Sequence, residues 1–135
     1  MAGTGDKVVF ICGSALRGQP DHGNLQSAVF IKEAKTAANY RLHSVQDGWH
    51  PGIYKVEAEA TNGISIPGEL YQLTAEQYEY LVSTEPPHMY PEEVMLDDGG
   101  TAIAMLYPQT LIQENNWPDI SDIGGWAAYK AQLLA

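Results

Sequence analysis

Between Lys7 and Tyr107 the chain alternates short apolar runs with turn residues, and one internal stretch alone carries a complete helix signature. Lys7-Val-Val-Phe-Ile-Cys12 is almost continuously apolar and stops at Gly13, the pattern of a strand buried on both faces. Further strands are predicted at Ala28–Lys35, Tyr40–Val45, Gly52–Glu57 and Ile64–Leu73, the last with Pro67-Gly68 marking an edge or a bulge. Two more, around Val94–Leu96 and Ala102–Tyr107, flank Asp97-Asp-Gly-Gly100, a strong hairpin turn. Thr74-Ala-Glu-Gln77 reads as a capping box that starts a helix with Tyr78, Leu81 and Val82 on its apolar face. Pro86-Pro87 stops it. Asn24–Ala28 suits one helical turn, and Trp126–Leu134 a short Ala-rich helix. Six to seven strands with one or two packed helices make a small mixed α+β barrel occupying residues 1–135 as one domain. A doubly wound sheet would need a helix between each pair of strands, and these are missing.

At 135 residues such a domain buries about two-thirds of its unfolded surface without disulfides or metal. Its 17 acidic and 7 basic side chains give a formal charge of −10. That balance argues against nucleic acid, which is held by Lys and Arg, and against a polybasic membrane contact. No apolar run approaches the roughly eighteen residues of a membrane span. The first residues lack the charged and apolar regions of a secretory signal, and the single Cys12 cannot form an internal disulfide. The expected setting is the cytoplasm.

The acidity is lopsided. No Lys or Arg occurs between Val56 and Tyr129, where thirteen acidic residues fall. A solvated acidic face would look the same. Yet if the chain handles a small anion, the group that holds it must come from the N-terminal segments, from Arg17, Arg41 or backbone amides.

The four histidines have no zinc spacing, and Gly13 opens no phosphate-binding glycine motif, so neither a metal nor a cofactor is implied. Ser14 lacks the Gly-x-Ser-x-Gly elbow of a nucleophile. The turn Cys12-Gly-Ser-Ala-Leu16 is better suited to chemistry, because a glycine after a buried strand can aim consecutive amides at one oxyanion. An ordinary tight turn has the same residues. Glu85 stands just past the helix end, where the helix dipole disfavours its ionised form and raises its pKa toward the range of a general acid/base. An exposed turn glutamate is the plainer alternative. Trp49, Trp117 and Trp126, each beside Gly or Pro, are expected to act as lids over a thin core.

Phe10-Ile-Cys-Gly-Ser-Ala-Leu16 resembles the opening strand and loop of the gamma-glutamylcyclotransferase-like (AIG2-like) superfamily, with Cys12 in the place of its usual tyrosine. The resemblance continues through Gly68-Glu-Leu-Tyr-Gln-Leu73, Leu81-Val-Ser-Thr-Glu85 and Tyr90. It implies the cyclotransferase-like barrel fold and puts Glu85 on the general acid/base glutamate; the aspartate three residues earlier is replaced by Val82. Ala15-Leu-Arg-Gly-Gln-Pro20, Asn39-Tyr-Arg-Leu42, Pro51-Gly-Ile-Tyr-Lys-Val56 and the tail Asp119-Ile-Ser-Asp-Ile-Gly-Gly-Trp-Ala-Ala-Tyr129 are similar to the C-terminal domain of allophanate hydrolase, which shares that fold. Two features depart from it: Pro87-His-Met-Tyr-Pro91 replaces an apolar stretch, and Glu85 has no usual counterpart.

The resemblance implies a small-molecule enzyme. Gly13, Ser14, Ala15, Leu16, Arg17, Arg41 and Tyr90 would bind a small anionic substrate, and Glu85 would move protons. The chemistry would be a decarboxylation-type step on a carboxylated nitrogen compound of urea metabolism, or gamma-glutamyl cyclotransfer releasing 5-oxoproline. A non-catalytic module that assists an amidase chain or self-associates as a homo-oligomer is the other class implied, and a ligand-binding protein without chemistry a third.

Overall fold

In the computed structural model, which describes residues 6–13, 15–19, 21–25, 28–46, 48–57 and 61–134, the first apolar run forms strand β1 (Lys7–Ile11). Val9, Phe10 and Ile11 are buried in it. On one side it pairs antiparallel with β5 (Pro67–Leu73), in a register that sets Val9 against Tyr71. On the other it lies parallel to β7 (Thr101–Leu106). The edges are β2 (Val29–Lys35) and β6 (Tyr90–Met95), giving the order β2-β5-β1-β7-β6. β3 (Tyr40–Val45) and β4 (His50–Lys55) form a separate antiparallel hairpin.

The fold is α+β as expected, and its seven described strands form two sheets. Closure is reached at one end only. Thr36 bridges Leu96, the Ala37 N–H donates to the Met95 carbonyl at 2.9 Å, and the Asp97 N–H donates to the Lys35 carbonyl at 3.0 Å. Asp97-Asp-Gly-Gly100 makes the predicted hairpin turn, with the Leu96 N–H on the Gly100 carbonyl at 2.8 Å. β6 begins four residues before the predicted Val94, because an edge strand can carry Tyr90, Pro91, Glu92 and Glu93 outward while β7 supplies its ladder.

Helix α1 (Ala75–Ser83) starts on the predicted box. The Gln77 N–H donates to Thr74 Oγ1 at 3.2 Å, and the Thr74 N–H donates to Gln77 Oε1 at 2.9 Å. Its apolar face is narrower than expected: Leu81 is buried, whereas Val82, about 100° further round the helix, is exposed. Two more α-helices follow where one was expected. α2 (Gln109–Asn115) starts at Pro108 without a side-chain cap and so has no local start signal, and α3 is Trp126–Leu134. Trp126 is a core residue, Trp49 is half exposed, and neither is a simple lid. No described helix is long and apolar enough to cross a membrane.

Candidate functional site

Where β1 ends, its exit turn meets the start of β4 and the segment just past α1. Cys12, Gly13 and Ala15 from the first, His50, Pro51 and Ile53 from the second, and Glu85 and Met89 from the third enclose a cavity of about 50 Å³, floored by Phe10, Ile11 and Met105. Gly13 is required here for close approach: a β-carbon on it would stand 2.5 Å from Pro51 Cγ.

Glu85 reaches this cavity because α1 is closed tightly. Thr84 caps the helix and turns its hydroxyl back onto the Leu81 carbonyl at 2.7 Å, and the Glu85 N–H donates to the Val82 carbonyl at 3.2 Å. Burial, and then the charge of Asp21, push the Glu85 carboxyl up to about 7. The direction matches the sequence expectation, but desolvation, not the helix dipole, leads the causes. Facing it, the Cys12 thiol is pushed up to about 12 by its own burial and by the Glu85 charge, which makes it an inert wall.

His50 is the wall residue that the sequence did not single out. It is 2% exposed, its Nδ1 lies 2.9 Å from the Pro51 carbonyl, and burial lowers its pKa against the opposing pull of that carbonyl. Its position was legible only as an unpaired histidine before Pro-Gly; the burial comes from Tyr107 and Trp49, whose rings lie 5.5 and 5.1 Å away.

Of the expected substrate-binding residues, Gly13 and Ala15 border the cavity with Glu85. Ser14 lies outside the described residues. The amide nest is smaller than predicted, because the Leu16 N–H closes the turn on the Gly13 carbonyl at 3.0 Å. The Arg17 N–H donates to Glu69 Oε1 at 3.1 Å.

Neither arginine is among the walls of this cavity. Arg17 Nε donates to Glu69 Oε2 at 2.8 Å, and its guanidinium lies 4.1 Å above the Phe30 ring. Burial alone would raise the Glu69 pKa, but the two Arg17 bonds and the Tyr71 hydroxyl outweigh it and hold that carboxyl below its ordinary range. Arg41 donates through Nε and Nη2 to Asp119 Oδ2 at 3.1 and 2.7 Å, and through Nη1 to the Asn62 carbonyl at 2.6 Å. Tyr90 is on the exposed edge strand and lines no part of the cavity.

A larger cleft of about 390 Å³ lies between β2, the start of β5 and the Asp97–Asp98 turn. Its charges include the exposed Lys32–Asp98 pair at 3.5 Å, and neither Glu85 nor His50 is among its walls. The larger cleft is lined by exposed charges, whereas the smaller cavity is lined by Cys12, His50 and Glu85, whose pKa values burial shifts. Among the described residues no group of three or more His, Cys, Asp or Glu is arranged to hold a metal.

The sequence matches the family described as the allophanate hydrolase C-terminal domain over residues 7–131. Among solved structures, a uropathogenic E. coli-specific protein is similar at TM-score 0.84 and 26% identity, over 95% of this chain and 98% of that one. Kluyveromyces lactis allophanate hydrolase is similar at TM-score 0.86 and 22% identity, over 94% of this chain and 21% of that one, so this chain spans about a fifth of that enzyme. An AIG2-like protein from Mus musculus has TM-score 0.59 and 18% identity, over 79% of this chain and 82% of that one. The last two likenesses show the fold, α+β and gamma-glutamylcyclotransferase-like. No curated protein matches the sequence.

Proposed function

We propose that this chain, which belongs to the allophanate hydrolase C-terminal domain family, is a small-molecule enzyme in which Glu85 carries the proton. One observation carries the reading: the Glu85 carboxyl lines a cavity and is pushed up to about 7. A general acid/base works best when its pKa lies near the working pH. The substrate is a small carboxylated amide or carboxylated nitrogen compound of the kind urea metabolism handles. Its reacting head enters between Glu85 and His50. A carboxylate on it is held by the Gly13 and Ala15 amides, since Arg17 and Arg41 are committed to Glu69 and Asp119.

In the decarboxylation-type step, the bond between nitrogen and the carboxylate carbon breaks and CO2 leaves. Glu85 delivers its proton to the nitrogen and regains one from water. The likeness to the mouse AIG2-like fold supports a second use of the same carboxyl. Ionised Glu85 would take a proton from an alpha-amine as that amine attacks a gamma-carbonyl, then give it to the leaving amine, releasing 5-oxoproline. A non-catalytic role beside an amidase chain is supported by the same fold forming about a fifth of K. lactis allophanate hydrolase.

The test is Glu85→Gln assayed with N-carboxylated ureas and with gamma-glutamyl amines. Turnover is expected to fall about 100-fold or more while the variant stays folded. Unchanged turnover removes Glu85 from the mechanism. Turnover that appears only with an added amidase favours the assisting role.

A further inference from the structure

The cavity wall has a feature that the proton-transfer role of Glu85 does not use. His50 is buried and its Nδ1 lies 2.9 Å from a carbonyl oxygen, which accepts only a proton donor, so Nδ1 carries the N–H. Burial keeps the ring neutral, and a neutral imidazole has one N–H. Nε2 is therefore a lone pair. It has no hydrogen-bond partner among the described residues, it is not among the sealed-off unpaired polar atoms, and His50 is one of the cavity's wall residues. Trp49 and Tyr107 pack on the ring from two directions and fix its plane.

We propose that His50 is the positioning residue of this cavity: Nε2 accepts a hydrogen bond from an N–H on the substrate's reacting nitrogen, so that the site selects an uncharged N–H head, a carboxamide or ureido group, over a carboxylate. The inference rests on the reading of this cavity as the substrate site. Among the described residues the walls supply no Lys or Arg. A carboxylate at His50 would set lone pair against lone pair beside the Glu85 carboxyl, whereas an amide N–H satisfies the acceptor. The bond to His50 fixes the nitrogen while Glu85 exchanges the proton, and any carboxylate of the substrate remains at the Gly13 and Ala15 amides.

The test follows the ¹⁵N resonance of His50 Nε2 in the full chain during titration with methylurea, acetamide or acetate. Wild type is compared with His50→Phe, which keeps the ring packing without the acceptor, and with His50→Gln, whose Oε1 reaches the Nε2 position. Methylurea and acetamide are expected to move the Nε2 resonance, and acetate to leave it unmoved. Their dissociation constants are expected to rise roughly tenfold in His50→Phe and to recover in His50→Gln. Amide binding unchanged in His50→Phe overturns the proposal. So does an Nε2 shift driven by acetate, or none with either amide. Should His50→Phe fail to fold, the wild-type Nε2 shift decides. If Glu85→Gln turns over substrate normally while methylurea still moves His50, the acid/base reading falls and this one stands. If Glu85→Gln is inactive and methylurea leaves Nε2 unmoved, the reverse holds.

Discussion

Gly13 and Pro51 meet across the cavity rim so closely that a β-carbon on the glycine would stand 2.5 Å from Pro51 Cγ and 2.7 Å from its Cδ. The proline cannot move aside easily, because its ring is rigid and its residue is paired with Ser44 in the β3–β4 hairpin. Gly13→Ala is therefore expected to destabilise the fold by about 1–3 kcal/mol, the usual cost of overpacking a tight contact. Urea unfolding measures it. A midpoint equal to wild type would mean that the exit turn moves away from β4 without cost.

Cys12 should be chemically silent in the folded chain. It is 7% exposed and its thiol is pushed up to about 12, so almost no thiolate exists near pH 8. Iodoacetamide is expected to leave the native protein unlabelled and to modify it fully in denaturant, as mass spectrometry would show. Labelling at a similar rate in both conditions would place the thiol in contact with solvent.

Features set by local spacing were legible in the sequence, and features set by partners far along the chain were not. β1 follows from an unbroken apolar run, and α1 from a box whose two hydrogen bonds join residues three apart. β6 is mostly exposed and becomes a strand through its ladder with β7. α2 has no cap to announce it. At the site, the helix end and the family motif pointed to Glu85. His50 did not stand out, because Tyr107, Trp49 and the cavity define its role. The charge asymmetry suggested Arg17 and Arg41 as anion holders. Each is joined to a carboxylate 52 or 78 positions away, which no local pattern announces.

Ser121 ties the tail to β3. It accepts from the Leu42 N–H at 2.9 Å and donates to the Leu42 carbonyl at 3.3 Å, and it is 5% exposed. Ser121→Ala leaves that buried N–H unpaired, at a cost of about 1–3 kcal/mol. For a domain of this length the melting temperature should drop by roughly 4–11 °C. An unchanged melt would show that the tail contributes little to holding β3.

Glu85→Gln also tests the carboxyl through stability alone. The folded chain holds the Glu85 proton up to about 7, against an ordinary value of 4.5. Between those values the native state binds more protons than the unfolded one, so the slope of unfolding free energy with pH is negative. The stabilisation from protonated Glu85 is complete below pH 4.5 and is lost as pH rises through 7. Glutamine mimics the protonated form and does not titrate. The variant should therefore match wild type near pH 4 and exceed it by roughly 3 kcal/mol at pH 8. Unfolding curves of both proteins across that range isolate the difference from every other titrating group. A gap that stays constant with pH would show that the carboxyl titrates as an exposed glutamate, and the proton carrier proposed for the cavity would then have no reason to hold its proton near neutrality. Asp21→Asn provides the cross-check: removing the nearby charge should lower the Glu85 pKa and shrink the gap, while the larger part, due to burial, remains.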